Sequence, residues 1–272
     1  MIIKEVLFSA GKTGFFFDDQ RVIKQAPPHD GFTYLGKSVT PGFRSIRQAG
    51  ESISIILVLE DGRCAVGDAA AVQYSGAGGR DPLFLAQTYI PFLEKNVRPL
   101  IVGRPLTSFR QLAGEFDAMK IEGRSLHTAI RYGLGQAFLD ACALSQNRLM
   151  AETAADEYSL PLTLEPIPIF GQSGDDRYNA ADKMILKEVD VLPHGLINNI
   201  DEKLGYRGEK LREYVSWLSQ RIVKLRGNVD YRPALHIDVY GTIGTIFDNN
   251  PDLIADYLIS LEGEAGEFPL YI

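Results

Sequence analysis

Ala234-Leu235-His236-Ile237-Asp238-Val239 is a β-prone run in which apolar residues alternate with an imidazole and a carboxylate, and the helical run Pro251 to Leu261 follows it. Working outward, the same unit recurs: strand Ile167 to Phe170 precedes helix Ala180 to Lys187, and strand Val191 to Leu192 precedes helix Gly208 to Leu225. A last apolar run, Phe268 to Ile272, resembles an internal strand. Strands separated by helices predict a parallel sheet, because parallel neighbours need a crossover long enough to carry the chain back. The pattern leaves barrel and open sheet undecided. Residues 163 to 272 number 110, whereas a closed eight-fold barrel needs roughly 200, so a barrel would be truncated within its β/α repeat.

Towards the N-terminus the pattern changes. Ile3 to Phe8 predicts a first strand, and Ser54 to Leu59 with Arg63 to Asp68 flank the turn Glu60-Asp61-Gly62, which predicts a hairpin. Between them Gly11 to Gly50, rich in Gly, Pro and Asp and carrying Phe15-Phe16-Phe17, is expected to be an irregular functional loop or lid. From Pro82, a suitable helix start, apolar residues fall at helical spacing: Leu83 to Leu93, Phe109 to Met119, Leu126 to Leu144 and Leu149 to Tyr158. Pro161, Pro166 and Pro168 then punctuate the chain, which places a boundary between an α+β domain at 1–160 and a β/α domain at 161–272.

Composition narrows the partners. The net charge of −7, from 28 basic and 35 acidic residues, supplies no counterion-releasing basic surface for nucleic acid, so the expected ligand is small. Cys64 and Cys142 have no neighbouring cysteine and are expected to be buried thiols. Met1 to Phe8 lacks a basic lead-in and a cleavage pattern, and no stretch of about 18 apolar residues occurs, so a cytoplasmic enzyme without a membrane partner is expected.

Three polar residues fall at or beyond the ends of successive predicted strands: Gln172, His194 and Asp238. In a β/α barrel those ends converge on the catalytic face. A carboxylate inside an apolar strand is costly unless a cation or hydrogen bonds compensate it. Asp238 therefore suits either metal ligation or the capping of a neighbouring loop, two readings the sequence does not separate. His194 suits proton transfer near neutral pH, against a structural role. Ser173 and Gly174 are expected to shape a strand-to-helix loop with Asp175 or Asp176 capping the helix. The glycine-rich Gln73 to Pro82 could approach a ligand or serve as a surface turn. Gly11-Lys12-Thr13 fails as a phosphate loop because Val6 stands where the first glycine is required.

Long segments resemble the methylaspartate ammonia-lyase family of the enolase superfamily: Gly14 to Gln20, Ala71 to Pro82, Leu126 to Gly133, Gln172 to Tyr178, Val191 to His194 and His236 to Gly244. The resemblance implies an α+β N-terminal capping domain followed by an enolase-type β/α (TIM-like) barrel. It also implies magnesium-assisted elimination of ammonia from L-threo-3-methylaspartate to give mesaconate, in glutamate degradation, with a monovalent cation such as K+ activating. By the same resemblance Asp238 is a Mg2+ ligand and His194 the basic or polarising group on one face of the reacting carbon. Gln172 binds substrate, Gln73 forms the ammonium side of the pocket and Phe170 the methyl side, in a protein that is a homodimer when complete. The family's two other acidic ligands and its principal lysine base lie in later strands that this sequence does not contain, so these 272 residues alone are not expected to turn over substrate. Alternatives are another enolase-superfamily racemase or dehydratase, or an inactive truncated module.

Overall fold

In the computed structural model, residues 1–23, 27–71, 81–174 and 176–272 are described, and they form two compact units, Met1–Thr163 and Leu164–Ile272. The first is built on a three-stranded antiparallel sheet in the order β1 (Ile3–Asp18), β2 (Arg47–Leu59), β3 (Cys64–Ala70), with the single helical turn α1 (Gln20–Ile23) after the first strand. Ile53, Ile55, Leu57 and Leu59 alternate along β2 and are fully buried, which fixes its register. The expected hairpin is present, pairing Val58 with Cys64.

The stretch Gly11 to Gly50 is not irregular throughout. β1 continues to Asp18 and pairs Phe16 with Ala49, Phe17 with Gln48 and Asp18 with Arg47. Aromatic residues favour a pleated surface; Phe17 is buried while Phe15 and Phe16 are exposed. Arg47 closes this end with two hydrogen bonds to Asp18, 2.8 and 3.0 Å, and its guanidinium lies over the Phe32 and Tyr34 rings at 5.1 and 4.9 Å. Asp19 ties the following loop by accepting from the Val39 and Thr40 amides.

Helices α2 (Ala86–Asn96), α3 (Arg98–Ile101) and α5 (Thr128–Gln146) pack on the sheet, and α4 (Phe109–Ala118) and α6 (Met150–Glu157) pack on α5, with a two-residue ribbon of β4 (Lys120–Ile121) and β5 (Arg124–Ser125) before α5. The first of them begins at Ala86, not at Pro82, because Leu83, Phe84 and Leu85 are extended and buried in the core. α5 presents Ala129, Ile130, Gly133, Leu134, Ala137, Phe138 and Ala141 at helical spacing to the core. A Cβ on Gly67 of β3 would stand 2.0 Å from the Gly133 carbonyl oxygen and 2.7 Å from the Ala137 nitrogen, so strand and helix meet backbone to backbone. Cys142 is buried, its thiol pushed up to about 12 by desolvation. Cys64, contrary to expectation, is exposed: it sits on the outward side of β3's alternation.

His127 caps α5. Its Nδ1 accepts from the Ala129 amide at 3.0 Å, and its Nε2 lies 2.9 Å from the Pro82 carbonyl oxygen, which obliges Nε2–H to donate. The neutral ring satisfies both partners, whereas protonation would set N–H against N–H. Burial, opposed by the Pro82 hydrogen bond and Asp81, holds its pKa below the ordinary 6.5.

In the second unit β6 (Val191–Leu196), β7 (Ala234–Asp238) and β8 (Leu270–Tyr271) form a parallel sheet in that order, the crossovers carrying α8 (Glu209–Leu225) and α10 (Pro251–Ala265). α7 (Asn179–Leu186) precedes β6, a π-helical turn spans Ile200–Leu204, and α9 (Thr242–Ile246) follows β7. Leu192, Leu235 and Ile237 pack against Ile185, Leu211, Leu218 and Leu261, all fully buried. The expected strand Ile167 to Phe170 is replaced by an extended edge slightly later in the chain. Its pairing to β6 is intermittent, through Val191 N–H to the Ile169 carbonyl at 3.0 Å, Gly171 N–H to Val191 at 2.8 Å and Ser173 N–H to Pro193 at 2.7 Å. Ile167 and Ile169 are exposed, so their apolar character does not bind this edge to the core. Asp176 does not cap the following helix with its side chain; Tyr178 occupies the cap position without a side-chain bond, and Asp175 lies outside the described residues. No helix among the described residues is long and apolar enough to cross a membrane.

Two outcomes test this packing. Gly67→Ala should destabilise the first unit by about 3 kcal/mol through overpacking, whereas Gly135→Ala, where nothing lies within 4 Å of the added Cβ, should be neutral or stabilising by about 0.5–1 kcal/mol; denaturant midpoints of the two variants would expose an error in the strand–helix contact. For His127 the folded state disfavours the imidazolium, so the unfolded chain binds more protons. Its contribution is complete above the ordinary 6.5 and is lost as pH falls through the lower folded value. His127→Asn keeps a cap acceptor but cannot titrate in this range, and should therefore flatten the acid side of the stability–pH curve measured by urea unfolding. An unchanged slope would show that His127 does not stay neutral.

Candidate active site

Leu235 and Ile237 turn into the core, so the period-two alternation of β7 sends His236 and Asp238 to the opposite face, where both are partly exposed. Opposite them the register of β6 slips: Pro193 pairs with His236, but Gly195 pairs with Ile237, and His194 is the extra residue between. This is a β-bulge, and His194 has a left-handed φ of 44°, uncommon for a side-chain-bearing residue. β6 therefore does not stop at Leu192, the end of the expected strand, but continues through the bulge to Leu196.

The bulge turns the His194 ring onto His236. The two Nδ1 atoms are 2.9 Å apart and the ring centroids 4.9 Å, with planes inclined at 35°. Phe170 packs on both rings, its centroid 5.2 Å from His194 and 5.1 Å from His236. The other nitrogen of His194, Nε2, faces Asp238 with 3.8 Å to Oδ2, too far for a hydrogen bond but close enough for charge attraction. Asp238 Oδ1 accepts from the Tyr240 amide at 3.2 Å. One oxygen thus helps shape the turn after β7 while the other faces the imidazole. The His194 and Asp238 side chains retain 19% and 35% of their accessible surface, leaving both open to a ligand.

A 2.9 Å N···N contact requires one donor and one acceptor. Burial first, then the neighbouring His194, hold the pKa of His236 below its ordinary value, with Asp238 opposing. The structure therefore favours a singly protonated arrangement across the contact. Gln172 is exposed on the extended edge beside β6, two residues beyond Phe170 and so on the same face of that edge. Gln73 lies outside the described residues.

Asp238 fits one position in an oxygen shell, but among the described residues no group of three or more His, Cys, Asp or Glu side chains is placed to hold a metal ion. Magnesium demands near-octahedral oxygen coordination, and a single carboxylate beside two imidazoles does not provide it. The residues described do not by themselves fit that ion. Sequence position singles out His194, and the alternation of Ala234 to Val239 puts His236 on one strand face with Asp238. The pairing of the two rings depends on the bulge, which no local pattern announces.

Residues 1–159 match the family model described as methylaspartate ammonia-lyase N-terminus, and residues 161–272 match its C-terminus counterpart. Methylaspartate ammonia-lyase of Citrobacter amalonaticus is 62% identical over 272 residues, covering 100% of this chain, and that of Clostridium tetanomorphum is 58% identical over the same span; the chain spans 66% of the length of each. The Citrobacter amalonaticus crystal structure containing (2S,3S)-3-methylaspartic acid superposes with a TM-score of 0.97, over 100% of this chain and 66% of that one. The magnesium complex of β-methylaspartase from Clostridium tetanomorphum gives 0.94 over 98% and 65%. Muconate lactonizing enzyme of Pseudomonas putida, at 12% identity and a TM-score of 0.54 over 98% of this chain and 58% of that one, shares the fold alone. The architecture is thus an α+β N-terminal domain followed by strands and helices of an enolase-type barrel. Matched in order over both units, the chain belongs to the methylaspartate ammonia-lyase family.

Proposed function

We propose that the whole protein is a carbon–nitrogen lyase that eliminates ammonia from L-threo-3-methylaspartate to give mesaconate, within glutamate degradation. The observation that carries this reading is the uninterrupted likeness, at 62% identity, to a lyase whose crystal structure contains (2S,3S)-3-methylaspartic acid. The site agrees chemically. Removing a proton beside a carboxylate builds enolate charge, and a group able to accept that proton must face the reacting carbon. His194 offers Nε2 on the open side of the bulge for this purpose on one face of that carbon, next to Asp238. Gln172 would orient the substrate by hydrogen bonding, Phe170 would form the apolar wall for its methyl group, and Gln73 would line the ammonium side.

Asp238 would contribute one ligand to Mg2+, with the remaining ligands supplied by parts of the protein other than those described. The ion, when bound, would stabilise the enolate charge as a Lewis acid. Support comes from the related Clostridium tetanomorphum enzyme, solved as a magnesium complex. Activation by K+, a homodimeric assembly and a cytoplasmic location belong to the same proposal. So do the roles of residues 1–160 as the capping domain and 161–272 as the first part of the catalytic barrel.

The full-length protein should release ammonia from 3-methylaspartate, lose that activity when divalent cations are chelated, and regain it with Mg2+. Racemisation or dehydration of another acid, with no ammonia from methylaspartate, would replace the lyase reading by another enolase-type reaction. His194→Ala should lower kcat by about 100- to 10,000-fold for the methylaspartate stereoisomer whose proton faces the imidazole, with the fold retained by circular dichroism. Equal turnover of both stereoisomers by variant and parent would return His194 to a structural role.

A further inference from the structure

The His194 ring has two nitrogens with different surroundings. Nε2 opens toward Asp238, whereas Nδ1 meets the His236 Nδ1 at 2.9 Å. His194 also sits on a bulge with a left-handed backbone, a conformation the surroundings must hold in place. Phe170 bounds both rings but has no hydrogen-bonding atom in its side chain. Among the described residues, His236 is therefore the group that makes a directional contact to the ring of His194.

We propose that His236 is a positioning residue for His194: its Nδ1 accepts the Nδ1–H of His194, so that the lone pair of His194 lies on Nε2 and faces the reacting carbon. This rests on the reading of His194 as the base. When the substrate C–H bond breaks, its electron pair stays on carbon and the proton forms a bond to Nε2. Nδ1–H remains donated to His236 throughout, so the imidazolium forms without rotation of the ring. The opposite arrangement, with His236 donating, would put the proton of neutral His194 on Nε2 and leave no lone pair toward the substrate. Orientation of a ring by a hydrogen bond to its second nitrogen is a general device for fixing which nitrogen reacts.

The test uses full-length protein with isotope-labelled histidine and three variants. In the parent, ring-nitrogen chemical shifts of His194 should show Nδ1 protonated and Nε2 bare. In His236→Phe, which keeps an aromatic ring but removes the acceptor, His194 should shift toward the Nε2–H form. The same variant should lose about 10- to 100-fold in kcat with little change in KM, and only for the stereoisomer that His194→Ala also impairs. His236→Asn, whose side-chain oxygen restores an acceptor, should recover much of both the tautomer and the rate. An unchanged His194 tautomer in folded His236→Phe overturns the proposal, as does an equal loss for both stereoisomers. If His194→Ala spares both stereoisomers, the assignment of the base fails instead, and the tautomer measurement alone decides whether His236 orients the ring.

Discussion

Parallel pairing of Val191–Leu196 with Ala234–Asp238 is the constraint on which the candidate site depends. Parallel strands bring the same ends of the chain to one side, so residues separated by more than forty positions, His194 and Asp238, become neighbours at 3.8 Å. The crossover helix that makes this pairing possible is amphipathic: Leu211, Val215, Leu218 and Ile222 are buried at helical spacing, beneath Leu235 and Ile237. The apolar residues of β7 hold the strand in place, and their alternation forces His236 and Asp238 to the other face. Site and core are thus two consequences of one period-two pattern.

Electrostatics then limits what such a face can hold. A fully buried carboxylate would need a cation or several hydrogen bonds, but Asp238 keeps 35% of its side-chain surface and one amide hydrogen bond, so it escapes that full burial cost. The two imidazoles are under a different constraint. Their contact tolerates one proton more readily than two, and both burial and mutual repulsion push His236 toward neutrality. The other ring nitrogen of His194, Nε2, faces the Asp238 carboxylate at 3.8 Å.

Much of this was visible in the sequence. The hairpin around Glu60-Asp61-Gly62 and the helices that begin at Phe109, Thr128 and Met150 carry strong local signals, because turn chemistry and apolar spacing are decided within a few residues. Strand Ala234 to Val239 was legible for the same reason. Phe15 to Phe17 was misleading: a run surrounded by glycine and aspartate suggests a loop, yet pairing with Gln48 and Ala49, some thirty residues away, makes it strand. Ile167 to Phe170 misled in the other direction, apolar in composition but exposed at an edge. The bulge at His194 arises from the mismatch between two registers, a property of the pair of strands that neither strand carries alone.

Two histidines show why geometry, more than residue type, separates structure from chemistry. Both nitrogens of His127 are committed to backbone groups, the Ala129 amide and the Pro82 carbonyl, and its side chain keeps 4% of its surface. Any proton it gained would break a helix cap, so its neutrality serves the fold. His194 touches the backbone with neither ring nitrogen in any described hydrogen bond; one meets another side chain, and the other stands beyond hydrogen-bond distance from a carboxylate. Its Nε2 makes no described hydrogen bond and faces Asp238 at 3.8 Å. The first ring is fixed because both of its valences are used, and the second is fixed through one so that the other stays available. That asymmetry is what the proton-transfer role proposed for His194 requires, and it depends on one extra residue in a strand.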